Sequence, residues 1–352
     1  MWKQYNYIEH SIQGMQDFVT SLFLDVLFRA PEYPNSDLMD VVNDSTNKAL
    51  LQKVEDLKFY EQFETLFEDM KTFDKERIDK LRTAFEQNNQ IERLCRNEIV
   101  PFRFKDLQKE YKADAVWNEF LSRLKTFCND LYEKHIKLSA FQEKFGTLGD
   151  YYKALVRNDS TCHCCGIGEI LTEDNTPRDP FDHYLPKGIY PFVSLNFHNL
   201  VPACPHCNSS YKKEADTLFV KQGRTEIQVK AFSPFANEED PSCNIHVEIE
   251  MLSSYKMEKT KFEDINVICS CPEHKEECEN WMRIYKIKEQ YTSFCHRLDN
   301  LCLINDMIIQ NFSSPDYARN EIQKMERNLN IHRYFLLAPF ARAVFKSLDL
   351  VI

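Results

Sequence analysis

Two Cys-x-x-Cys pairs, Cys162-x-x-Cys165 and Cys204-x-x-Cys207, bracket residues 166–203. Any fold that carries them as a unit must bring two distant knuckles together, because four thiolates complete a tetrahedral zinc shell. A shell of four sulfurs leaves no position for water. Such a zinc holds the fold and does no chemistry. The competing reading, thiols buried as small hydrophobes, has to explain two correctly spaced pairs around the densest motif in the chain. Within the first knuckle Cys164 competes with its neighbours as a ligand. His163 and His206 lie inside the knuckles and are expected exposed or stacked rather than ligating. Cysteines at metal spacing with no secretory signal read as reduced thiols, so the expected compartment is the cytoplasm. The apolar stretch Phe18–Phe28 is short and interrupted by Asp25, and is read as neither a signal core nor a membrane span.

The segment "FDHYLPKGIYPFVSLNFHNLVPACPHCNSSYKK", Phe181 to Lys213, follows the first knuckle and contains the second. "FDHYL" reads as a short strand stopped by Pro186, "NLVPAC" as a second strand, and "PHCNSSYKKEADTLF" as a helix. Successive strand residues point to opposite faces, so Asp182 and His183 reach a common substrate only where the strand bends or ends. Asn208 directly follows Cys207, and neighbouring helix residues are rotated by about 100°. Cys207 can therefore face zinc while Asn208 faces the strands. Asp182 and Asn208 offer oxygen ligands, suited to Mg²⁺ or Mn²⁺. Imidazole has the side-chain pKa suited to a general base near neutrality, which assigns that role to His183. Asn199 is expected to hold the loop and the histidine backbone in register. Lys187, Lys212 and Lys213 flank the motif as candidate phosphate contacts, with solvated lysines as the alternative. His198 is expected to be a packed loop histidine. "CSCPEHKEEC" supplies Cys269, Cys271, His274 and Cys278, either a second metal site or a reduced-cysteine turn opening a helix.

"DHYLPK" followed by "NLVPACPHCN" resembles the HNH endonuclease family, the ββα-metal fold, in its zinc-stapled form with two Cys-x-x-Cys pairs. The resemblance covers residues 150–215. It implies Asp182 and Asn208 as ligands of a catalytic Mg²⁺ or Mn²⁺, His183 as general base, Asn199 as the structural middle position, and Cys162, Cys165, Cys204 and Cys207 as the zinc shell. The last position of the motif is Asn rather than His here, which leaves a neutral, weaker oxygen ligand and bears on metal preference.

Elsewhere the chain reads as helical. Only seven glycines occur in 352 residues, which disfavours a many-stranded sandwich. Leu50, Leu51, Val54, Leu57, Phe59, Phe63, Leu66 and Phe67 recur at spacings of three and four. Pro31, Pro34 and Pro101 mark boundaries. "NIHVEIEML" alternates cleanly, and "FEDINVIC" is available to pair with it; amphipathic helices follow from Cys278. The expected architecture is an α-rich α+β chain. It has a helical domain over 1–150, the HNH module over 151–232, and a β-hairpin with helices over 233–352.

Net charge is −11, which argues against coating nucleic acid by bulk electrostatics, although residues 151–230 balance nine basic against nine acidic side chains. No Gly-rich phosphate loop is present, so nucleotide hydrolysis would have to come from another chain. The leading expectation is a metal-dependent DNA endonuclease, the effector of a bacterial defence system working with a protein partner such as a separate ATPase or sensor subunit, and with no membrane. The alternatives are a zinc-stapled adaptor that binds nucleic acid or protein without cutting, and an HNH nuclease acting on RNA.

Overall fold

Acidic and hydroxyl side chains set where the helices begin. Asp44, Asp74, Asp114 and Thr147 each accept a hydrogen bond from a backbone N–H three residues on, and so cap the helices Ser45–Gln52, Lys75–Asn88, Ala115–Glu133 and Leu148–Leu155. The computed structural model describes residues 2–157, 159–236, 244–314, 316–329, 331 and 333–350. The helical pattern through Leu50 and Phe67 is broken: Ser45–Gln52 ends, residues 53–57 turn, and Lys58–Met70 begins at an extended Leu57 whose side chain stays exposed. From there Phe59, Phe63, Leu66, Phe67 and Met70 form one buried stripe against the helix Ala115–Glu133.

Phe23 sits at the centre of the N-terminal helices. It stacks on Phe85 at 4.8 Å between centroids and meets Phe192 edge-on at 6.2 Å. Phe192 belongs to the loop between the two short strands of the motif. The helical half therefore packs directly onto that loop.

Among the described residues, eight short strands form four two-stranded sheets. β1 (Tyr5–Asn6) pairs parallel with β6 (Phe235–Ala236). β2 (Phe181–His183) pairs antiparallel with β3 (Leu200–Pro202), with Asp182 opposite Val201 and His183 opposite Leu200. β4 (Phe219–Gln222) and β5 (Thr225–Gln228) make a hairpin turned by Gly223 at φ +63°. β7 (His246–Met251) pairs antiparallel with β8 (Ile265–Ser270). Ile245 and Ile249 are buried and Val247 and Met251 half-buried, while His246, Glu248 and Glu250 are exposed, as the alternation requires. The two strands are joined by residues 252–264 rather than a tight turn.

The helix expected after the second knuckle is much shorter than its sequence pattern. It is a π-turn, His206–Lys212, closed by a hydrogen bond from Lys213 N–H to Asn208 C=O. Lys213 then adopts φ +51°, a left-handed conformation that side-chain-bearing residues seldom take, and the chain departs toward β4. Beyond β8 the helices Lys275–Ile284, Ile287–Cys295, Leu298–Ser313, Tyr317–Arg327 and Tyr334–Ser347 follow. The architecture is α-rich with a few small sheets. Among the described residues no helix is long and apolar enough to cross a membrane.

Candidate metal centre and strand-end cluster

The sulfurs of Cys162, Cys165, Cys204 and Cys207 all lie within 4.8 Å of one another, and all four residues are buried. Gly168 N–H donates to Cys165 Sγ at 3.3 Å, Cys204 N–H to Cys162 Sγ at 3.3 Å, and the Gln290 amide to Cys207 Sγ at 3.7 Å. Donors aimed at three of the four sulfurs suit thiolate acceptors better than apolar thiols. The donor set fits a structural zinc. Close contact with Cys162, then Cys204 and Cys207, holds the Cys165 thiol well below its ordinary value, whereas burial pushes Cys162 up.

Gly168 is required by space: a Cβ there would stand 2.8 Å from Cys204 Cβ and closer still to its sulfur. Cys164 is outside the quartet; its carbonyl accepts from the Trp281 indole at 2.7 Å. His163 is stacked on Tyr5 at 3.8 Å and bonds Asp159 at 2.8 Å, while His206 is exposed. Cys269, Cys271, His274 and Cys278 make no second centre. The quartet is the one group of three or more metal-ligating Cys, His, Asp or Glu residues among the described residues.

At the end of β2, Asp182 and His183 are both buried and turn to different neighbours. His183 Nε2 lies 2.9 Å from the Ser194 carbonyl oxygen. A carbonyl only accepts, so Nε2 carries the proton and the neutral ring keeps its lone pair on Nδ1. Tyr132, near the end of the helix Ala115–Glu133, covers the imidazole edge-on at 4.5 Å. Burial, then the nearby charge of Lys187, pushes the imidazole down to about 3. Lys187 itself is ion-paired to Glu133 and lies over the Tyr132 ring. Ser194 Oγ bonds the Cys128 carbonyl of the same helix. One helix thus covers the imidazole and fixes the residue that orients it.

Asn199 is fully buried. Its amide accepts from Leu185 N–H at 2.6 Å and donates to Leu185 C=O at 3.0 Å and Val193 C=O at 3.2 Å. It ties the residues after His183 to the loop. His198 stacks on Tyr7 at 4.0 Å, a packed loop histidine. Asn208 is half-buried and donates to Pro180 C=O at 3.3 Å, binding the π-turn to the start of β2.

Lys212 departs furthest from a solvated lysine. Its Nζ lies 2.8 Å from Asp182 Oδ1 and 2.6 Å from the His183 carbonyl, with both ion-pair side chains buried. The Tyr285 hydroxyl stands 3.5 Å from Asp182 Oδ2. Burial raises the Asp182 carboxyl above its ordinary value, against the opposing pull of Lys212. A catalytic Mg²⁺ or Mn²⁺ does not fit this donor set as it stands, because the carboxylate already holds an ammonium. Of the three candidate phosphate lysines, only Lys213 is exposed.

The position of Lys212 follows from the π-turn. In an α-helix residues five apart are rotated by roughly 140°. The widened i→i+5 turn instead lets Cys207 and Lys212 both be buried. Lys212, Tyr285 and Tyr132 were the residues that sequence reasoning did not connect to Asp182 and His183.

No family model, curated protein or solved structure matches the chain.

Proposed function

We propose that the chain is a zinc-stapled HNH-type endonuclease that hydrolyses DNA phosphodiester bonds. We further propose that it is kept covered until a protein partner, such as the ATPase or sensor subunit of a bacterial defence system, opens it. The observation that carries this reading is the His183–Ser194 hydrogen bond, which leaves the imidazole a single basic nitrogen, Nδ1, at the end of a strand. In the reaction Nδ1 takes a proton from water, the oxygen attacks phosphorus as the bond from phosphorus to the 3′ oxygen breaks, and the departing oxygen takes a proton from solvent to become a hydroxyl, leaving a 5′-phosphate end. A ring held near 3 is a poor base at neutral pH. Withdrawing the cover formed by Tyr132 and Lys187 returns it toward the ordinary value of about 6.5, where a general base works best. That requirement is what favours an activating partner.

Nicking of supercoiled plasmid, with Mg²⁺ supplied and with and without the partner, tests the proposal. His183→Ala is expected to lose roughly a hundredfold or more in rate. Equal cleavage by both proteins removes the base. Labelled RNA consumed in preference to DNA moves the substrate to RNA.

One observation favours a second reading, a zinc-stapled adaptor that binds without cutting: Asp182 is already neutralised by Lys212 inside the protein. The adaptor predicts one zinc per chain, no nicking under any condition, and binding indifferent to Asp182→Ala.

A further inference from the structure

Among the described residues, Lys212 and Asp182 form the ion pair in which both partners are buried. The ammonium is not merely beside the carboxylate. It lies where a carboxylate oxygen and a main-chain carbonyl oxygen converge, at 2.8 and 2.6 Å. Two oxygens converging on one positive centre make a cation seat, and in this fold a side chain of the same chain fills it. Resting on the reading of Asp182 as a nuclease residue, we infer that the Lys212 ammonium is the resident cation of this site, and that a divalent ion gains Asp182 only when Lys212 withdraws.

The element that carries Lys212 is suited to such a withdrawal. Lys212 is the last residue of a π-turn, a helix form used mostly in short pieces. The turn is followed by a lysine at φ +51°, a region that residues with a Cβ rarely adopt. Pairing of the i→i+4 kind would place Lys212 roughly 140° round from Cys207, off the side the two now share. Cys207 lies in the sulfur quartet, and the neighbouring Asn208 is held to Pro180. The zinc staple therefore acts as the fixed end of the device and Lys212 as the moving end.

The experiment is Mn²⁺ binding, read by electron paramagnetic resonance, on the zinc-loaded full chain. Lys212→Met is expected to bind Mn²⁺ at least tenfold more tightly than the unaltered protein. Adding Asp182→Asn to it is expected to abolish the gain. Equal or weaker Mn²⁺ binding by folded Lys212→Met overturns the inference, as does a gain that survives Asp182→Asn. Lys212→Met leaves a buried carboxylate unpaired, so it can fail to fold. A second measurement then uses the unaltered chain: acetylation of Lys212 by an amine reagent, followed by mass spectrometry, with and without saturating Mn²⁺. Labelling that rises several-fold with Mn²⁺ supports displacement, and unchanged protection refutes it. Neither readout depends on catalysis. Tighter Mn²⁺ binding without plasmid nicking would remove the nuclease and keep this inference, whereas nicking with unaltered Mn²⁺ affinity would do the reverse.

Discussion

Replacing Gly168 by Ala tests the zinc centre through space alone. The added methyl would stand 2.8 Å from Cys204 Cβ and 3.5 Å from Cys165 Sγ. Carbon atoms in contact prefer about 3.5–4.0 Å, so the deficit against Cys204 is about 1 Å. No flexible side-chain end is available to give way, because Cys204 Cβ carries a proposed ligand. Coordination geometry tolerates only about 0.2 Å, so either the knuckle turn or the sulfur must leave its place. Overpacking of this kind costs about 1–3 kcal/mol. At about 2–4 °C per kcal/mol for a large domain, Tm should fall by roughly 2–12 °C. The same energy, expressed in ligand affinity, weakens zinc by roughly fivefold to 150-fold. Zinc release to a chromogenic chelator, followed alongside thermal unfolding, measures both. Gly149→Ala is the control: its nearest neighbour would be Thr147 Oγ1 at 3.5 Å, an ordinary contact, within the helix Leu148–Leu155. There Ala should be neutral or stabilise by up to about 1 kcal/mol. If Gly168→Ala keeps its zinc and its Tm, the packed thiolate shell is wrong.

Two other outcomes are expected. Burial lowers His183 from its ordinary value to about 3, so between about 3 and 6.5 the unfolded chain binds the proton that the folded chain refuses. The stability held by the neutral ring is present above 6.5 and is lost as pH falls through that window, with a limiting slope of about 1.4 kcal/mol per pH unit; denaturant titrations of His183→Gln across pH 4–7 should show a shallower dependence, and an unchanged slope would refute the assignment. Asn199→Ala strips partners from Leu185 N–H and from the Leu185 and Val193 carbonyls, and should destabilise by about 1–3 kcal/mol or more in chemical denaturation; a change under about 0.5 kcal/mol would show that Asn199 does not hold the loop.

What was legible in the sequence was local. Cys162, Cys165, Cys204 and Cys207 could be paired because ligand spacing is set by the geometry of one tight turn, and the structure brings them together. The strands around Asp182 and Val201 were legible from short apolar runs bounded by prolines. Even so, Cys164 stood as a competitor within the first knuckle, and it is the three-dimensional grouping of the sulfurs that sets it outside the quartet. Lys212 was hidden for a different reason. Its inward orientation needs a π-turn, and no residue pattern in "CNSSYKK" distinguishes that from an α-helix. Tyr285 reaches Asp182 across 103 residues, and Tyr132 reaches His183 from another helix. The β4–β5 hairpin did carry a signal, Gly223 between two short alternating runs, directly after the helix expected to end at Phe219.

Phe192 bears on how such a chain can be divided. Because this ring is wedged among Phe23, Phe85 and Phe104, the stretch between the two short strands has its apolar floor supplied by distant parts of the polypeptide. Trp2 does the same from the other end, lying against Tyr184, Phe232 and Tyr285. An excised zinc segment would therefore present bare aromatic surface and lose the lid over its histidine at one stroke. Motif and scaffold are packed as one unit in this chain, and grafting the motif elsewhere would mean carrying its helical floor along.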